Sequence, residues 1–204
     1  MITTSLQCDR PDDIIVAGNE KAAPIQICDR FAADILKPYR AHARYLKAAE
    51  ITHCRDESAA DAAANDPALV VGSGRFSIPE SCYIDDTGHF NAVEFNICYN
   101  QLAYVLFGKC AEAGILHRIL GPKANLPSFA EFMQHQLPSM LIVRIDDVRF
   151  FKQMKSGDFR AELRIEKFAK KGGALFFFTS ITFSDCEGMK AQGSVVLAFS
   201  PTIH

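Results

Sequence analysis

Residues 91–108 read NAVEFNICYNQLAYVLFG, a run without proline, with no glycine before Gly108, and apolar on nearly every face. Such a segment forms a helix that the rest of the chain surrounds, because a helix apolar all round has to be buried. Asn91 followed three residues later by Glu94 has the form of a capping box, which predicts that the helix starts at Asn91. Its first N–H groups would then face whatever lies beside His89 and Asn91. The sequence after about residue 140 is of another kind. In DFRAELRIEKF (158–168), Phe159, Ala161, Leu163 and Ile165 alternate with Arg160, Glu162, Arg164 and Glu166, the period of a strand with one wet face. LFFFTSITF (175–183) and GSVVLAF (193–199) are further strands, set off by turn residues Lys171-Gly172-Gly173 and Asp185-Cys186-Glu187-Gly188. With Met140–Phe151 these make about four consecutive antiparallel strands. A buried helix followed by long strands predicts an α+β fold, a sheet curled around a helix.

Working toward the N-terminus, RDESAADAAANDP (55–67) is a polar, alanine-rich loop between strands near Tyr45–Thr52 and Leu69–Phe76. In PIQICDRFAADILKPY (24–39), Ile25, Cys28, Phe31, Ala32 and Ile35 recur at helical spacing, with Pro24 at a first helical position and Pro38 as the stop. Residues 1–23 are polar and aperiodic, a loose leader, and 24–204 form one domain of ordinary length.

Composition excludes several classes. With 22 Lys plus Arg against 24 Asp plus Glu there is no basic field for nucleic acid. No stretch has the roughly 18 apolar residues that span a bilayer, and the start lacks a signal-peptide pattern, so no membrane partner and a cytoplasmic location are expected. The seven cysteines are odd in number and form no C-x-x-C pair or Cys/His cluster, so they are expected reduced, mostly buried, and without a metal. No G-x-S-x-G, P-loop, dinucleotide fingerprint or H-E-x-x-H occurs.

The densest polar cluster is ESCYIDDTGHFNAVEFNICYNQ (80–101). His89 is a candidate general acid or base, since imidazole titrates near neutrality; the plain alternative is a histidine hydrogen-bonded at a loop-to-helix junction. Glu94 is either the returning half of the capping box or a carboxylate in apolar surroundings suited to proton abstraction, and both can hold. Asn100 lies nine residues after Asn91, two and a half turns on and so on the opposite side of the helix. It either touches ligand near a neighbouring subunit or bonds to backbone. In FMQHQLPSMLIVR (132–144), His135 precedes a strand and is either a structural histidine, the commoner case, or a further contact to substrate. Cys82 and Cys98 are taken as packing, because a nucleophilic thiol needs an activating base.

The strings T-G-H-F-N-A-V-E (87–94) and N-Q-L-A-Y (100–104), with QHQLPSML (134–141) and ILKPYRAHARYL (35–46), resemble the FcoT-type family of hot-dog proteins, first described as long-chain acyl-CoA thioesterases. The resemblance runs from about Ile35 to Phe199 and leaves out the leader and the alanine loop. It implies a single hot-dog domain, at least a homodimer, with an acyl chain between helix and sheet and site residues Tyr39, Tyr83, Asn91 and Asn100. It further implies a fatty acyl thioester on acyl carrier protein or coenzyme A as substrate. Members of isonitrile lipopeptide and related β-amino-acid pathways add glycine to the β-carbon of a (2E)-enoyl thioester, sometimes with thioester hydrolysis. Arg44 or Arg149 is a candidate cation to grip the glycine carboxylate, the plain alternative being a surface or strand-edge charge, and no organic cofactor or metal is implied. Plain thioester hydrolysis and non-catalytic acyl binding are the alternatives. Arg75 and Pro79 depart from the thioesterase-like pattern, so no chain-length preference carries over.

Overall fold

A computed structural model describes residues 23–55, 67–85 and 89–200; most of the expected leader and alanine loop lie outside these. Seven antiparallel strands form one sheet: β1 (Ile25–Ile27), β2 (Leu46–Cys54), β3 (Val70–Phe76), β4 (Met140–Phe150), β5 (Phe159–Lys171), β6 (Ala174–Asp185) and β7 (Gly188–Phe199), in the order β1-β2-β3-β5-β6-β7-β4. The helices are α1 (Asp29–Ile35), α2 (Ala92–Glu112), α3 (Ile115–Leu120) and α4 (Phe129–Ser139). The sheet wraps α2, as expected: Phe95, Cys98, Tyr99, Leu102, Val105 and Leu106 are each at most 1% exposed. This is the α+β hot-dog arrangement.

Two hydrogen-bonded fastenings fix α2 in the sheet. The Tyr99 hydroxyl lies 2.7 Å from Thr179 Oγ1, which donates to the carbonyl of Val195 at 2.9 Å. Gln101 accepts from the Tyr45 and Leu46 N–H groups (2.9 and 3.0 Å) and donates to the Ala43 carbonyl at 2.6 Å. Buried polar groups satisfied this completely set the register between helix and strand.

Glycines let helix and sheet touch. A Cβ on Gly72 would stand 2.4 Å from Leu106 Cδ2 and 3.0 Å from the Glu50 carbonyl, and one on Gly74 would stand 2.9 Å from Leu102 Cδ1. Along β3, then, α2 packs directly on the sheet. Gly72→Ala is expected to cost about 1–3 kcal/mol in urea unfolding by overpacking, with Gly157→Ala, whose added methyl meets nothing within 4 Å, as the neutral control.

Three expectations change. Residues 25–27 are an edge strand paired with Ala49–Ile51, so helix α1 starts at Asp29 after Cys28 rather than at Pro24. Phe129–Ser139 form a helix, α4, that was not expected; Gln134 and His135 lie in it, just before strand β4 as expected, and it carries a capping box, Ser128 with Glu131, and tolerates Pro138 in its last turn. Of the described cysteines only Cys98 and Cys110 are buried, while Cys28 and Cys186 are exposed; all are free thiols.

Candidate active site at the start of the central helix

Aromatic packing brings the site together. Phe90 lies 5.1 Å from Phe159 and 4.8 Å from Phe183, and Phe95 lies 5.1 Å from Phe183, which seats the first turn of α2 on the ends of β5 and β6. Backbone bonds hold the approaching chain: Ile78 N–H donates to the Ser156 carbonyl and Phe90 N–H to that of Met154.

Asn91 is the N-cap. Its Oδ1 accepts from Val93 N–H at 2.8 Å while its Nδ2 donates to the Tyr83 hydroxyl oxygen at 2.9 Å. The phenol oxygen is thus an acceptor toward Asn91, and its own O–H stays available to a substrate oxygen. The remaining N–H groups of the first turn have no acceptor within the helix and sit at its positive end. His89 is exposed and, with Phe90, Asn91, Phe150, Phe151 and Lys152, lines an open depression at this end. The arrangement suits an oxygen that gains negative charge, with a titratable imidazole at its edge.

Glu94 lies elsewhere than the capping box predicted. Instead of returning to the Asn91 N–H, its Oε1 accepts from Ser81 Oγ at 3.0 Å, its Oε2 has no partner, and the residue is 1% exposed. Beside it the Tyr45 hydroxyl, in a fully buried side chain, also finds no partner of hydrogen-bond geometry. Burial pushes this phenol up, and the nearby Cys82 thiol and Glu94 carboxylate push the same way. Burial, followed by Glu94, raises the Cys98 thiol well above the usual range, so it is no nucleophile at neutral pH. The structure therefore puts His89 in the open and Glu94 behind the wall, and does not bring the two to one surface.

Of the four residues implied by the resemblance, Tyr83 and Asn91 are joined. Tyr39 packs beside Tyr104 and Cys98, its phenol raised by burial first and by those two groups second. Asn100 is half-buried on the side of α2 away from Asn91, in a stripe with Asn96, Ile97 and Tyr104 that the sheet leaves partly open. Arg44 does not reach this region: its Nε donates to the Tyr39 carbonyl at 2.9 Å and a terminal nitrogen to that of Lys37 at 3.2 Å, clamping the 37–44 turn. Arg149, on β4, pairs loosely with Asp147 at 3.6 Å and precedes Phe150 of the depression. His135 lines a small cavity with Asn125, Leu126, Glu131 and Phe199. That cavity adjoins an apolar crevice at Phe107 and Ala111, toward the far end of α2, so His135 and Asn91 do not share a site.

Ser81 and Tyr45 are polar residues that spacing did not single out. Ser81 was visible in the cluster as the residue two before Tyr83; Tyr45, at the head of a strand, carried no signal. Among the described residues no group of three His, Cys, Asp or Glu could hold a metal ion, and no helix is long and apolar enough to cross a membrane.

The chain is 34% identical over 170 residues to a (2E)-enoyl-[ACP] glycyltransferase of Streptomyces coeruleorubidus, covering 81% of this chain and 92% of that one. It is 34% identical over 186 residues to a (2E)-enoyl-[ACP] glycyltransferase of Mycobacterium marinum, covering 89% and 91%. Among solved structures it is similar to a predicted thioesterase from Bacillus stearothermophilus, at 15% identity and a TM-score of 0.39 over 62% of this chain and 77% of that one. Residues 34–199 match the FcoT-like thioesterase domain, and the chain belongs to that family.

Proposed function

We propose that the protein adds glycine to the β-carbon of a (2E)-enoyl thioester held on an acyl carrier protein, in the cytosol. The observation that carries the reading is the Asn91–Tyr83 pair at the head of α2, which leaves a phenol O–H beside free helix N–H groups. It is supported by relatives of that printed activity, of whose length the chain covers more than nine-tenths.

The chemistry divides as follows. His89, at the mouth of the depression, accepts a proton from the glycine ammonium. The freed amine lone pair forms the C–N bond to the β-carbon, and the C=C electron pair moves onto the thioester oxygen as an enolate. Tyr83 O–H and the helix N–H groups hold that charge. The proton given up by the new secondary ammonium goes to the α-carbon, and His89 releases the one it took to solvent, so the step closes without a redox change. For the glycine carboxylate the proposed cation is Arg149, exposed one position before Phe150, with Lys152 in the lining of the depression itself; Arg44 is committed to backbone carbonyls. Incubating the protein with glycine and 2-enoyl carrier-protein thioesters should yield a product heavier by one glycine in mass spectrometry. Release of free thiol without glycine, and no adduct at any chain length, would leave hydrolysis as the activity.

The acting form is proposed to be a homodimer. β4 is an edge strand of eleven residues that exposes Leu141 (46%), Val143 (51%) and Ile145 (39%), an apolar edge that a monomer rarely leaves open. Pairing with a second copy about a two-fold axis would cover it. Val143→Lys with Ile145→Lys is expected to convert the protein to a monomer in light scattering.

A further inference from the structure

Arg75 on β3 and Arg160 on β5 stand directly opposite each other in the strand register. Both are exposed, and the structure gives neither an ion pair nor a side-chain hydrogen bond with another described residue. Like charges directly opposed on neighbouring strands repel, so the pair costs the fold stability. The residues across from them on the outer strands offer no neutralisation: Arg75 faces Ala48 and Arg160 faces Ser184. The two nearest carboxylates along the strands are otherwise engaged. Glu50 is bound by Gln26 and, at 3.0 Å, by Ser73; Glu162 is paired with Arg164 at 3.3 Å.

The two guanidinium groups border a groove with Gln26, Ala48, Glu50, Ser73 and Gly74; the small Ala48, Ser73 and Gly74 leave room beside the charges, and the Glu50 carboxylate in the same lining is held by Gln26 and Ser73. The groove lies on the solvent face of the sheet, at the strand ends whose opposite face carries the active site. Phe76 and Phe159, the chain neighbours of Arg75 and Arg160, are paired with each other, and Phe159 supports Phe90 under the first turn of α2. We propose that Arg75 and Arg160 form an oxyanion subsite that takes the phosphate of a phosphopantetheine arm. Two guanidinium forks set side by side match the several oxygens of one phosphate, which a lone lysine or a single arginine would not. This rests on the proposed use of a thioester substrate, because the phosphate is chemistry common to a carrier protein's prosthetic arm and to coenzyme A.

The test compares the unaltered protein with Arg75→Gln/Arg160→Gln. By calorimetry, the unaltered protein should bind phosphopantetheine at least tenfold more tightly than pantetheine, and the double variant should lose that difference. This arm decides the subsite even if no glycine addition is found. In kinetics, the variant's kcat/KM should fall tenfold or more, through KM, on enoyl thioesters of both carrier protein and coenzyme A, and stay unchanged on the phosphate-free N-acetylcysteamine thioester. Relief of repulsion should raise the variant's Tm, by about 2 °C, which separates the loss from misfolding. Equal binding of phosphopantetheine and pantetheine would overturn the proposal. So would an equal fall on all three substrates, or a fall on the carrier-protein substrate alone.

Discussion

Asn91→Asp is expected to unfold within about 0.5 kcal/mol of the unaltered protein in urea and to turn over about a hundredfold more slowly. Aspartate caps a helix as well as asparagine does, so the bond now made by Val93 N–H survives and the added negative charge suits the helix end. What changes is the other bond. Asn91 Nδ2 donates to the Tyr83 oxygen, and a carboxylate has no hydrogen to give. The phenol must then turn its own O–H toward the new carboxylate, and the donor meant for the thioester oxygen is consumed. Asn91→Ala loses the cap as well, about 1 kcal/mol, so it falls in both assays. Tyr83→Phe should match the aspartate variant in rate. Residues acting through one hydrogen bond are not additive, so Asn91→Asp with Tyr83→Phe should be no slower than either alone. Full activity in Asn91→Asp would remove Tyr83 from the chemistry.

The parts of the fold legible in the sequence are those whose pattern is their own. α2 is apolar on most faces because the sheet closes around it, and β5 alternates because one of its faces is wet. β1 was hidden because Ile25 and Cys28 fit the helical spacing of α1 equally well; pairing with β2 decides, and a three-residue edge has no period of its own. α4 went unread although Ser128 and Glu131 have capping-box spacing, because Pro138 within its last turn masks the helical pattern. In the site, Asn91 was legible because caps are local, a side chain bonding N–H groups two or three residues on. Arg44 and His135 were not, since which carbonyls surround Arg44, and which end of α2 His135 packs beside, depend on contacts between distant segments.

Glu94→Gln separates two roles that geometry alone places in the same side chain. The carboxylate is 1% exposed, one oxygen bound by Ser81 and the other unpaired, in company with an unpaired Tyr45 hydroxyl. A buried polar oxygen without a partner costs about 1–3 kcal/mol, and native proteins keep such groups mainly where function needs them. If Glu94 did no more than anchor the segment before Tyr83, glutamine would serve, since its Oε1 still accepts from Ser81. We expect otherwise: Glu94→Gln should be at least as stable as the unaltered protein, because a neutral amide is easier to bury. It should lose a hundredfold or more in turnover, the size of a removed acid or base. Glu94→Ala would leave the Ser81 hydroxyl without its acceptor and should lose stability by about 1–3 kcal/mol as well. Glu94 would then carry the second proton, from the new ammonium nitrogen to the α-carbon, which requires the Ser81 wall that covers it to open onto the depression, while His89 exchanges the first with solvent. A glutamine variant that turns over at the unaltered rate would instead assign the proton to His89 alone, leaving Glu94 as the anchor of Ser81.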